Sequence, residues 1–141
     1  MSLNNRIVSI VDDDPGTTLF FHEVLKSIPG IKISTFTDPV AALEHFQLND
    51  NAYVLVISDY KMPGLNGIEL LKKIKDSNRY VRTILTTAFE IDDNIGDNLF
   101  QEYTDKRIID GYLQKPITVH QLIKEVNIQL DSYEAQKTYR S

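Results

Sequence analysis

The chain of 141 residues contains no cysteine, which excludes a disulfide framework, a thiolate zinc site and a thiol nucleophile together. No apolar run approaches the roughly 20 residues that a membrane-spanning helix needs. Met1-Ser2-Leu3-Asn4-Asn5 passes into the first apolar run without a signal h-region, so a cytoplasmic location and no membrane partner are expected. Internal repeats, low-complexity tracts and Pro/Gly/Ser-rich linkers are lacking too. One domain over residues 1–141 is therefore expected, with its core over about 6–130 and a fraying helix end or tail over 131–141. Positive charge is the minority: 15 Lys and Arg stand against 20 Asp and Glu, for a net charge of -5. That balance disfavours direct nucleic-acid binding, and Lys72-Lys73-Ile74-Lys75 reads as the solvated face of a helix.

Apolar runs supply the strands. Arg6 to Val11 and Tyr53 to Ser58 are continuous and rich in β-branched residues, as in strands buried on both faces of a parallel sheet. Ile31 to Phe36 alternates more, as an edge strand does, and Val81 to Thr86 and Ile108 to Gln114 complete five. Helical patterns separate them: Thr17 to Ile28 with Phe20, Val24 and Ile28 as its stripe; a helix opening at Asp38-Pro39 with Ala42, Leu43 and Phe46 inward; one after Asn66 with Ile68, Leu71 and Ile74; one over about Asp92 to Tyr103; and one after Thr118 with Val119, Leu122, Ile123, Val126 and Leu130. Such alternation predicts right-handed βαβ crossovers and a doubly wound α/β sheet.

Three polar signals follow strands: Asp12-Asp13, Asp59 and Lys115-Pro116. Ligands of open α/β sheets bind in the crevice outside the carboxyl ends of the strands, so the sheet would gather these groups. Three carboxylates together repel unless protons or a cation intervene, and a hard divalent cation such as Mg2+ takes carboxylate and phosphate oxygens. An Asp carboxylate can also act as a nucleophile toward phosphorus, with a metal and a lysine neutralising the transferring group. Thr87-Ala88, after the fourth strand, offers a hydroxyl donor and a small side chain. Taken singly, Asp12-Asp13-Asp14-Pro15-Gly16 reads equally as a helix cap and turn. His22, His45 and His120 fall in separate helical patterns without ligand spacing and read as ordinary helical residues.

Together, Asp12-Asp13, Ser58-Asp59-Tyr60-Lys61-Met62-Pro63-Gly64-Leu65-Asn66-Gly67, Thr87-Ala88 and Gly111-Tyr112-Leu113-Gln114-Lys115-Pro116 resemble the receiver domain of two-component response regulators over about residues 6–130. The resemblance implies a flavodoxin-like five-stranded parallel sheet of order 2-1-3-4-5 with five helices. It implies Asp59 as phosphoacceptor. Asp12, Asp13, Asp59 and the backbone carbonyl of Lys61 would hold Mg2+, or Mn2+ in its place. Thr87 and Ala88 would contact the phosphoryl group with Lys115, Tyr112 would be the switch aromatic, Lys61 and Phe89 would tune acyl-phosphate lifetime, and Pro116 would follow a cis peptide. The implied partners are a sensor histidine kinase or phosphotransfer protein upstream and a protein downstream through the fourth helix, fifth strand and fifth helix, with homodimerisation through that surface left open. A receiver signals by phosphorelay and modifies itself, so it is not a turnover enzyme.

Two alternatives stand beside it. A haloacid dehalogenase-like phosphatase would use Asp12 as nucleophile with Asp14 as its spaced acid, but that family expects Thr or Val where this chain has Gly16, and it leaves Asp59 without a purpose. The other is the receiver fragment of a DNA-binding transcription regulator, although the sequence shows no helix-turn-helix after the fifth helix. The interval from Thr87 to Lys115 is also longer than receivers usually have, with the surplus around Asp92 to Arg107 including the acids Asp92, Asp93, Asp97, Glu102 and Asp105.

Overall fold

The computed structural model describes residues 6–88 and 101–140. Five strands, β1 (Ile7–Val11), β2 (Lys32–Phe36), β3 (Tyr53–Asp59), β4 (Arg82–Thr87) and β5 (Gly111–Gln114), form one parallel sheet in the order β2-β1-β3-β4-β5. The helices are α1 (Pro15–Leu25), α2 (Pro39–Asn49), α3 (Gly67–Ser77), α4 (described over 101–105) and α5 (Val119–Arg140). This is the flavodoxin-like arrangement, with β1 and β3 adjacent at the point where strand order reverses.

Side chains of the inner strands alternate between two cores. Val56 and Leu85 pack with Ala42 and Phe46 of α2 and Leu70, Leu71 and Ile74 of α3. On the other face Leu55, Ile57 and Ile84 pack with Phe21 and Leu25 of α1 and Leu122, Val126 and Leu130 of α5. Burial on both faces is why β1 and β3 are continuously apolar. One irregularity interrupts the register: Ile7 pairs with Tyr53 but Val8 with Leu55, leaving Val54 as an extra residue in β3.

Register also sets up the site. Val11 lies opposite Ser58, Asp59 opposite Thr86, and Thr87 opposite Gln114. The next residue along each strand therefore places Asp12 beside Asp59 and Lys115 beyond Thr87, all at one edge.

Four details differ from the sequence expectation. On α1 the buried residues are Thr18, Phe21 and Leu25, and Phe20, expected inward, is 39% exposed; Val24 and Ile28 only flank the core. The helix begins at Pro15, with Asp14 as its cap. The last helix runs through Arg140 with Tyr133 7% exposed in the same core, so apolar packing continues past Leu130, while Val119 stays at the surface. The fifth strand is shorter than Ile108 to Gln114, because Ile108 and Ile109 donate their N–H groups to the Tyr103 carbonyl at the end of α4 instead of a neighbouring strand. The expected helix over Asp92 to Tyr103 falls largely outside the described residues, and those described from 101 onward are helical.

Candidate functional site

At the carboxyl edge of the sheet, oxygens of Asp12, Asp13 and Asp59 lie within 4.8 Å of one another. Asp12 is 2% exposed and Asp59 9%, whereas Asp13 is open to solvent. The Lys115 ammonium sits 2.9 Å from Asp12 Oδ2 and 3.3 Å from Asp59 Oδ1. Its peptide bond to Pro116 is cis. One lysine thus pairs with two of the three carboxylates, and negative charge is left in surplus. Burial, and then the charge of Asp12, push the Asp59 carboxyl above its usual range despite the opposing pull of Lys115. Burial alone would lower Lys115, but the hydrogen bond and charge of Asp12, joined by Asp59, outweigh it and hold the ammonium above its ordinary value.

The acidic run Asp12 to Asp14 divides between two tasks. Asp12 Oδ1 accepts the Asp14 N–H, which orients its carboxylate. Asp14 turns the other way, accepting Gly16 N–H and the Thr17 hydroxyl as the cap of α1. The capping reading is therefore right for Asp14 alone. The Asp12/Asp14 pair that a phosphatase of the haloacid dehalogenase type would use is not assembled.

Asp59, Tyr60, Lys61, Thr87, Ala88 and Lys115 line a cavity of about 230 Å³. The Thr87 side chain is buried, and its carbonyl accepts the Lys115 N–H at 2.8 Å, which ties the two strand ends together. Lys61 is exposed at the mouth, where Asp13 faces the adjoining Met62-Pro63 turn. Tyr112 stands apart: it packs against the α2/α3 core, and its hydroxyl accepts from Thr104 Oγ1 at 2.9 Å. Phe89 lies outside the described residues.

The loop between β3 and α3 is fixed from both sides. Asn66 and Glu69 form a reciprocal capping box. Gly67 donates its N–H to the Tyr60 carbonyl at 2.7 Å, and a Cβ there would lie 2.2 Å from the Asp59 carbonyl oxygen and 2.8 Å from Leu85 Cδ1. Only glycine lets α3 start this close to the backbone of Asp59. Sequence reasoning gave Gly67 no role, although the helix start at Asn66 was its signal.

Carboxylates, a lysine and a buried threonine converging at the β1/β3 junction of this sheet define a signalling receiver. The family model of the response regulator receiver domain matches residues 8–127, and the chain belongs to that family. It is 28% identical over 139 residues to the DNA-binding transcriptional regulator NtrC of Escherichia coli, covering 99% of this chain and 28% of that protein. It is 33% identical over 85 residues to sporulation initiation phosphotransferase F of Bacillus subtilis, covering 60% of this chain and 66% of that one. A response regulator receiver domain protein of Clostridium thermocellum superposes with a TM-score of 0.79 at 25% identity, covering 93% and 98% of the two chains. The chain spans less than a third of the length of the first curated relatives. Among the described residues no helix is long and apolar enough to cross a membrane.

Proposed function

We propose that Asp59 is the phosphoacceptor of this receiver and that the phosphoryl group arrives from the phosphohistidine of a sensor kinase or phosphotransfer protein. The observation that carries the reading is that Asp59 alone among the three acids both borders the cavity and contacts Lys115. An Asp59 oxygen bonds to phosphorus as the P–N bond of the donor breaks, and the imidazole leaves with the electron pair and takes a proton. Asp12, Asp13, Asp59 and the Lys61 carbonyl hold Mg2+, or Mn2+ in its place; this all-oxygen set with excess negative charge suits a hard cation, which supplies charge neutralisation at the transferring group. Lys115 accompanies it as the fixed positive charge. Thr87 donates its hydroxyl to a phosphoryl oxygen, and Ala88 leaves room for that group.

Downstream, the signal passes to a protein partner through α4, β5 and α5. Tyr112, in β5, is tethered to α4 by Thr104, and movement of Thr87 toward a phosphoryl group would bias this surface between two arrangements. The domain modifies itself and releases phosphate slowly, and it acts in the cytoplasm without touching nucleic acid. Intact mass after incubation with acetyl phosphate, with Mg2+ or with EDTA, tests the chemistry. A Mg2+-dependent gain of one phosphoryl group, lost in Asp59→Asn, is expected; a gain retained in that variant moves the nucleophile elsewhere.

A further inference from the structure

A second cluster of charge lies at the other end of the sheet. Lys75, Arg79, Arg82, Lys106 and Arg107 line a single cavity of about 670 Å³ with Tyr80 and Asp110 among the other walls, so a third of the chain's 15 basic residues meet here although the whole chain is acidic. Arg82 begins β4 and Thr87 ends it, which puts the cavity about 16 Å from the phosphoacceptor edge at the usual rise of a strand.

Its floor is rigid. Asp110 accepts from Lys75 Nζ at 2.7 Å and from Thr83 N–H at 3.0 Å, with Arg82 3.6 Å away. Gln129 and Gln136 hold the Arg82 guanidinium from its other sides. The walls are less compensated. Lys106 pairs with Glu102, but among the described residues neither Arg79 nor Arg107 has a carboxylate partner; Arg79 lies over the Tyr80 ring and donates to its hydroxyl. Asp76, Glu102 and Asp110 leave two of the five cations uncompensated, and the C-termini of α3 and α4 that meet here, each worth about half a negative charge, offset only part of that surplus. Arg107 has φ +60, the left-handed conformation at a helix end where glycine is the usual occupant. An arginine therefore stands where the backbone favours glycine. Burial lowers Lys75, and the charges of Arg82 and Arg107 act in the same direction against Asp110, so these cations repel one another.

We propose that this cavity binds a small phosphorylated ligand, its phosphate held by Arg79, Lys106 and Arg107 above the Lys75–Asp110–Arg82 floor. Guanidinium forks match phosphate oxygens, the volume suits a small molecule, and a chain of net charge -5 repels an extended polyanion at long range.

Pyrophosphate titrated into the full chain in EDTA, at an ionic strength fixed with chloride and followed by backbone amide NMR, tests the site. Saturable shifts are expected at Arg79, Tyr80 and Arg107 to Asp110, and none at Asp12 or Asp59. Arg79→Gln combined with Arg107→Gly, a residue suited to that φ, weakens binding by about tenfold or more. Arg79→Gln alone weakens it less, and acetyl phosphate labels Asp59 at the parental rate in both. Shifts that never saturate, that fall at the Asp59 edge, or that persist at equal affinity in the double variant overturn the proposal. Because the labelling readout is separate, failure of this site and failure of the phosphoacceptor assignment are told apart.

Discussion

Asp59 and Asp110 are both buried carboxylates beside a lysine, at opposite ends of the same sheet, yet their surroundings differ in what they leave unsatisfied. Asp110 Oδ2 accepts from Lys75 and from the Thr83 N–H, and the Arg82 guanidinium lies 3.6 Å from its Oδ1. Asp59 shares one lysine with Asp12 and faces that second negative charge. A buried charge flanked by two cations and a backbone donor is architecture, because removing its partners costs more than forming the pair gained. A buried charge held near its like is poised for a cation or a covalent change that relieves it.

The largest test of that contrast is Asp110→Ala. It strands the Lys75 ammonium, whose side chain is 9% exposed, and removes the acceptor for the Thr83 N–H, so a loss of about 3–5 kcal/mol is expected. Urea unfolding measures it. If the loss were under about 1 kcal/mol, in the range of surface ion pairs, Asp110 would not be the structural member of the pair. Restoring much of the stability with Lys75→Met in the same chain would show that the stranded ammonium, and not the lost packing, carries the cost.

Gly67→Ala comes next. The added Cβ meets backbone at 2.2 Å rather than a flexible side chain, so α3 must shift away from Asp59, at about 1–3 kcal/mol of overpacking strain. The expected signature is double: lower stability in denaturant and slower labelling by acetyl phosphate, since the displaced backbone carries the proposed phosphoacceptor. Gly64→Ala serves as the contrast. Nothing lies near its Cβ position, but its φ of +89 still strains an alanine, so it lowers stability with less effect on labelling.

How much of this was legible in the sequence follows the range of the interactions. The strands β1 and β3 announced themselves, because burial on both faces demands apolar residues at every position. Asp12, Asp13, Asp59 and Lys115 were legible because strand ends in a parallel sheet share one edge. The inward face of α1 was not: Phe20, Phe21, Val24 and Leu25 offer two apolar stripes, and only the packing partner decides between them. Lys75 looked solvated in its lysine-rich run because its partner Asp110 is 35 residues away and nothing local announces the pair. Tyr133 looked like tail for the same reason, since its burial depends on where α5 lies against the sheet. Gly67 was legible only as the residue after a helix start at Asn66, and its close approach to the Asp59 carbonyl depends on how α3 meets β3.

The smallest effect has the opposite sign and sharpens the contrast most. The folded chain holds the Asp59 proton more tightly than the unfolded chain does. As pH rises through the unfolded and then the folded carboxyl value, stability is therefore lost, and above both values the charged side chain is a standing cost. Asn at position 59 carries no such charge. Without divalent cation, Asp59→Asn should match the parent in acid, gain on it as pH rises through the carboxylate range, and stay ahead at neutral pH, by about 3 °C in melting temperature for each kcal/mol relieved. Added Mg2+ should close that gap by stabilising the parent more than the variant. A variant less stable than the parent at neutral pH in EDTA would place Asp59 with Asp110 as a structural carboxylate, and the difference between the two ends of the sheet would vanish.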